Sequence, residues 1–310
     1  MVIETILYIF IGLGIIFSLP STMYFFMFLG VFYRQKTVML ERDDLTNSQY
    51  QPFAQILKKD ILYARSLACE KVELKAKDGI KLFARYYDSG ANKTIICVHG
   101  YQSNAFNNFS TALIDFLNRG YNVLLVDQRN YGDSGGKFTT FGHKEKDDLA
   151  LWVDYVDQKK GVEHIIIYGI SMGATTVGFS VETIKSNKVK GLILEAGVTC
   201  FYDELPSSLG VVFMKKQTLN CMYLMAKKLL KTDIKQSVES SLKNNVYPTL
   251  FLHGDVDTAV PIEFTDRNFN ACSSKKQRIT IEGAGHTLCF LAGGKPLHDK
   301  INEFIQECIS

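Results

Sequence analysis

Hydrophobic and polar positions divide the chain into three regimes. Residues 6–33 form an almost uninterrupted apolar run of about 28 residues without a charged side chain, and a bilayer-spanning helix needs about 20. Pro20-Ser21-Thr22 interrupts the run and predicts a kink. Over 34–68 the pattern turns polar, then amphipathic. Phe53, Ile56, Leu57, Ile61 and Leu62 recur there at helical spacing between charges. That spacing predicts a helix packed on the main domain or on a membrane surface. From residue 69 onward, short apolar runs alternate with helical stretches.

The runs read as strands. Residues 71–77 alternate apolar and polar, Asp78-Gly79 supplies a turn, and 80–87 returns. Runs at 94–98, 123–126, 165–168, 192–194 and 249–252 are β-branched and continuously apolar, which suits strands buried on both faces. Residues 278–281 are strand-like as well. With helices between most of them, the predicted class is α/β, a mostly parallel central sheet with helices on both faces. About 45 residues, 201–245, are too many for an ordinary connection. They carry Val212, Phe213, Met222, Tyr223, Met225, Leu229 and Leu230 at helical spacing and predict a small helical cap. The expected organisation is an anchor at 1–33, an amphipathic linker region at 34–68, and a main domain at 69–310 with the cap inserted.

The flanks of the first run decide between an anchor and a leader. A signal peptide needs a basic start, a short apolar core and a small-residue cleavage site. Here Glu4 is the only early charge and bulky residues continue to Tyr33, so a retained single-pass transmembrane helix, separable from the main domain, is expected. Arg34 and Lys36 follow the run and no lysine or arginine precedes it, which predicts a membrane location with the rest of the chain in the cytoplasm. Seven cysteines, odd in number and without a C-x-x-C pair, fit reduced thiols rather than disulfides or zinc ligands. Thirty-five basic against 32 acidic residues leave a net +3, which argues against a nucleic-acid partner. The 46% hydrophobic and 22% charged composition excludes a disordered chain.

The chemistry concentrates at Gly169-Ile170-Ser171-Met172-Gly173. It is a G-x-S-x-G motif placed after a strand and before a helix, where the serine must take strained backbone angles and present its hydroxyl at the top of the sheet. A serine hydroxyl needs a base held by a third group, and the expected chain order in this setting is serine, acid, histidine. His286 follows Gly283-Ala284-Gly285, whose glycines allow a sharp returning loop. Asp255 and Asp257 both follow the run at 249–252. Asp257 is the expected acid and Asp255 a loop-shaping residue. Two backbone N–H donors are needed for the oxyanion, expected from Met172 and from Tyr101 in the loop after His99-Gly100. His99 precedes Ser171 and is expected to organise that loop. His143, His164, His253 and His298 are expected in surface or packing roles, and no metal-ligand spacing accompanies His99 or His253.

These motifs make the chain resemble the α/β-hydrolase superfamily, in particular membrane-anchored serine hydrolases similar to feruloyl esterases and prolyl-oligopeptidase-like domains. The resemblance covers about residues 69–309. It is carried by His99-Gly100-Tyr101, the stretch from Asp127 to Gly135, Gly169 to Gly173, Asp257 to Pro261, and Gly285-His286. Family members commonly have glycine where this chain has Asn130, a residue that tolerates left-handed backbone angles. The resemblance implies the α/β-hydrolase fold and a cofactor-free serine hydrolase of the carboxylesterase class. Its substrate would be a small-molecule ester or acyl compound, with thioesters a further candidate, cleaved through an acyl-enzyme on Ser171. Two other readings stay open: a peptidase or amidase of small peptides, and a catalytically silent membrane-associated binding module. Phe201, Phe213, Met222, Tyr223 and Met225 of the cap are the candidates for an apolar substrate pocket.

Overall fold

A computed structural model describes residues 22–33, 49–208 and 216–310. Residues 22–32 form α1. A 3₁₀ turn at Gln51–Phe53 leads into α2 (Ala54–Ser66), which buries Leu57, Ile61 and Ala64 on one face as the amphipathic spacing predicts. Strands β1 (Glu70–Lys75) and β2 (Lys81–Tyr87) pair across a turn in which Gly79 takes φ +85°. There follow β3 (Lys93–Val98), α3 (Ala105–Asn118), β4 (Asn122–Asp127), α4 (Glu145–Asp157), β5 (His164–Ile170), α5 (Met172–Ser180) and β6 (Val189–Glu195). The cap insertion carries α6 (Phe201–Ser208), α7 (Lys216–Met225), a π-helical turn (Ala226–Leu230) and α8 (Val238–Leu242). β7 (Thr249–Gly254), α9 (Ile262–Ala271), β8 (Lys276–Ile281) and α10 (Cys289–Ile309) complete the chain.

The strands form one sheet in the order β1-β2-β4-β3-β5-β6-β7-β8. β2 runs antiparallel to β1 and β4, and every other pairing is parallel. β4 shows why its sequence is continuously apolar. Val123 and Leu125 pack on the face carrying Phe109 and Phe116 of α3 and Ile301 of α10. Leu124 and Val126 pack on the opposite face, with Trp152 of α4 and Val177 of α5. The chain leaves β3 for β4 on one side and returns to β5 on the other. The sheet order therefore reverses at β3, and ligands bind at such a reversal, outside the carboxyl ends of the strands.

A third apolar cluster lies over that end of the sheet. It joins Phe28, Val31 and Phe32 of α1 to Phe201, Leu205 and Met222 of the cap, and to Phe141 and Met172 below. Residues 6–21 of the expected span lie outside the described residues, while its end, α1, is docked on the domain with Phe28 and Phe32 fully buried. Among the described residues, no helix is long and apolar enough to cross a membrane. An apolar run records that its side chains avoid water, but not whether lipid or protein covers them.

Candidate active site

The G-x-S-x-G turn is as tight as its sequence requires. Ser171 sits between β5 and α5 at φ +55°, ψ −119°, a conformation that side-chain-bearing residues rarely adopt. Close backbone approach explains the flanking glycines: a Cβ on Gly173 would lie 1.9 Å from the Val98 carbonyl oxygen, and one on Gly169 would lie 2.5 Å from the Gly173 carbonyl carbon. The Ser171 N–H donates to the Glu195 carbonyl at 2.8 Å, fixing the turn to the end of β6.

Three side chains from distant parts of the sequence meet there. His286 Nε2 lies 2.9 Å from Ser171 Oγ, and His286 Nδ1 lies 2.7 Å from Asp257 Oδ2. With Nδ1–H donating to the carboxylate, the Nε2 lone pair faces the serine hydroxyl. The other Asp257 oxygen accepts from the backbone N–H groups of Ala259 and Val260, each at 2.9 Å. Burial pushes the Asp257 carboxyl up. The His286 hydrogen bond and charge, joined by the Val260 N–H, outweigh that and hold it below the usual carboxylate range. Asp255 instead accepts from the Gly283 N–H at 2.7 Å and ties the loop after β7 to the loop after β8.

Two further buried groups border this centre. His253, expected in a surface or packing role, is fully buried with Nε2 only 3.4 Å from Asp257 Oδ2 and 3.0 Å from the Val260 carbonyl. Burial pushes its imidazole below the ordinary value although Asp257 pulls the other way. Glu195 is fully buried beneath the turn, where its carboxyl accepts from the Tyr168 hydroxyl and from the Cys289 N–H at 3.1 Å. Burial raises its carboxyl despite both bonds. Neither residue belongs to a motif, so only their position at strand ends signals them.

The loop after β3 is organised by His99. The Gln128 N–H donates to His99 Nε2 at 3.1 Å, and His99 Nδ1 faces the Gly100 carbonyl at 2.7 Å. Asn130 takes the left-handed φ of +75° that its turn requires. Tyr101 and Met172 border the same cleft as Ser171 and His286. That cleft has a volume of about 260 Å³, with apolar walls from Phe141, Val198, Phe201 and Val260, and with Glu204 among its polar groups.

Of the four candidate pocket residues among the described residues, only Phe201 lines this cleft. Phe213 lies outside the described residues. Met222 is fully buried in the cluster shared by the cap and α1, and Met225 packs against that cluster. Tyr223 stands edge-on to Tyr202, beside Lys227 and Lys235. Helical spacing identified the cap's apolar face, but that face closes on α1 rather than on the cleft. Among the described residues, no His, Cys, Asp and Glu side chains group in threes or more to hold a metal ion, and all seven cysteines are free.

The fold agrees with comparisons to known proteins. The family described as alpha/beta hydrolase fold matches residues 93–213, and that described as TAP-like protein matches 210–308. The chain belongs to the α/β-hydrolase superfamily. The uncharacterized protein YqkD of Bacillus subtilis is 26% identical over 68% of this chain and 70% of its own length. Among solved structures, the Pyrococcus furiosus esterase Pf2001 matches this α/β-hydrolase with a TM-score of 0.63 and 23% identity, over 81% of this chain and 96% of that one. Est1E of Butyrivibrio proteoclasticus, solved with ferulic acid bound, matches with a TM-score of 0.61 and 20% identity, over 77% and 99%. At these identities, both solved structures are alike in fold.

Proposed function

We propose that this α/β-hydrolase cleaves carboxylic esters through an acyl-enzyme on Ser171. The observation that carries the reading is the hydrogen-bonded chain from Ser171 Oγ through His286 to Asp257, set in an apolar-walled cleft. In this reading, Ser171 Oγ attacks the ester carbonyl while His286 Nε2 accepts its proton. Asp257 holds the imidazole orientation and stabilises its protonated form. The negative oxygen is received by the backbone N–H groups of Met172 and Tyr101. Collapse expels the alcohol, which takes the proton from His286, and water repeats the sequence to release the acid. Thioesters follow the same steps with a thiol as leaving group. The esterases among the solved structures of the same fold support ester over peptide cleavage.

A fluorophosphonate probe should label Ser171. Ser171→Ala or His286→Ala should lower p-nitrophenyl ester turnover by on the order of 10⁶. Unimpaired turnover in the Ser171→Ala protein would show this reading to be wrong.

The same reading places the protein at a membrane, with its hydrolase domain in the cytoplasm. It is supported by the apolar run at 6–33 followed by Arg34 and Lys36, and by the exposure of Met23, Phe25 and Phe26 on α1. Full-length protein should sediment with membranes, and an impermeant thiol reagent should leave the domain's cysteines unlabelled in intact cells. Recovery in the soluble fraction would reject the membrane placement, and clear labelling would reject the cytoplasmic one.

A further inference from the structure

We infer that Gln49 and Tyr50 are positioning residues for His286, an inference that rests on the serine-hydrolase reading above. Both backbone polar groups of His286 are engaged by this pair. Its N–H donates to Gln49 Oε1 at 3.1 Å, and its carbonyl accepts from the Tyr50 hydroxyl at 3.3 Å. The same hydroxyl lies 3.1 Å from Thr287 Oγ1, beside a threonine held at φ +62°. A β-branched residue seldom takes that conformation without support from its surroundings. Gly285 allows the approach, because a Cβ there would lie 2.4 Å from Gln49 Oε1. Tyr50 is 7% exposed, so its bonds are made largely out of water.

The pair is mounted on a rigid element. The Phe53 N–H donates to the Tyr50 carbonyl at 2.9 Å and opens the 3₁₀ turn that runs into α2. α2 buries Leu57, Ile61 and Ala64 in the same cluster as α3, and Thr111 of α3 donates to Asp60 at 2.7 Å. The histidine loop has little stiffness of its own between Gly283 and Gly285. Its upstream end is fixed by Asp255 and by the Val256 N–H to Ala284 carbonyl bond at 3.3 Å. Asp257 restrains only the ring, through Nδ1. The clamp therefore sets where the imidazole starts, and the carboxylate sets how it turns. Both clamp residues precede the 93–308 region that the two families match.

Gln49→Ala, Gln49→Glu and Tyr50→Phe, made in the full chain, test the clamp on p-nitrophenyl butyrate, with Ser171→Ala in parallel. Gln49→Ala should lower kcat about 10- to 100-fold with KM within about 2-fold, the effect of displacing an aligned group by about 1 Å. Tyr50→Phe should act in the same direction but less. Gln49→Glu keeps an acceptor at the same reach and should restore most of the rate. Fluorophosphonate labelling should slow in step with kcat. Wild-type kcat in Gln49→Ala overturns the inference. So does a loss that Gln49→Glu fails to restore, or one matched by a fall in melting temperature, since either marks a folding defect. Activity surviving in Ser171→Ala rejects the serine-hydrolase reading itself, a separate outcome.

Discussion

The Tyr101 hydroxyl donates a 2.7 Å hydrogen bond to the carbonyl of Val31, joining the loop after β3 to α1. The contact continues around the cleft. The Thr139 N–H donates to the Phe32 carbonyl at 2.9 Å, and the Phe32 ring stands edge-on to Phe141 at 5.5 Å and to Phe201 at 5.9 Å. Phe141 and Phe201 both line the cleft. The end of the apolar run is therefore the support behind the cleft wall.

Removing that support should be felt twice. Phe32→Ala should cost about 3–5 kcal/mol of stability, the usual loss for a fully buried phenylalanine. It should also lower turnover of medium-chain esters more than that of acetate, because the wall behind the acyl group loosens. Deleting residues 1–33 should have both effects. Urea melts together with a p-nitrophenyl ester series check this. An unchanged melt and chain-length profile after the deletion would make α1 a separable element.

Phe201 and Met222 should separate cleft from core. Each methylene buried in the cleft contributes up to about 0.8 kcal/mol, so kcat/KM should rise from acetate towards medium chains and level off where the 260 Å³ cleft ends. Phe201→Ala should change where that rise levels off. Met222→Ala should cost about 2–5 kcal/mol of stability and leave the profile in place. A profile that moves with Met222 and not with Phe201 would mean that the cap face, rather than the cleft wall, receives the acyl chain.

The two aspartates after β7 should differ by orders of magnitude. Asp257→Asn should lower kcat by on the order of 10⁴, because the amide supports the wrong imidazole tautomer. Asp255→Asn keeps an acceptor for the Gly283 N–H and should cost less than about 10-fold, since it leaves the serine–histidine–aspartate contacts intact. Steady-state kinetics on one ester decide the point, and the reverse order of losses would reassign the acid.

His143 makes stability depend on pH. Its ring packs on Phe179 at 4.7 Å, and burial, opposed by Glu145, takes the imidazole down to about 4. An unfolded histidine titrates near ~6.5. Between those values the unfolded chain binds the proton and the native one does not, so this contribution is fully present above about pH 6.5 and is lost as pH falls towards 4. The full loss is on the order of 3 kcal/mol. Denaturant melts of His143→Asn should show a smaller fall in stability from pH 7 to pH 4.5 than wild type. An equal fall would assign the acid sensitivity to other groups.

Much of this protein was legible in its sequence, because local rules govern the features concerned. The apolar runs at 94–98, 123–126 and 165–168 are strands covered on both faces, and Asp78-Gly79 is the turn between β1 and β2. Gly169 and Gly173 announce the tight turn at Ser171, since no side chain fits where their Cβ atoms would lie. Chain order and loop glycines single out His286, and loop position favours Asp257 over Asp255. Tertiary structure alone decided what covers each apolar face and which distant groups meet. Helical spacing put Met222 on an apolar stripe but could not say that it is buried in a cluster shared by the cap and α1 rather than exposed in the cleft wall. At the end of the run at 6–33, Phe28 and Phe32 meet protein, a choice made by shape rather than by hydrophobicity. His253 beside Asp257, Glu195 beneath the turn, and Gln49 and Tyr50 on the His286 backbone carry no motif. The contacts of Gln49 and Tyr50 span up to 237 residues of sequence and exist only once the sheet has brought its strand ends together.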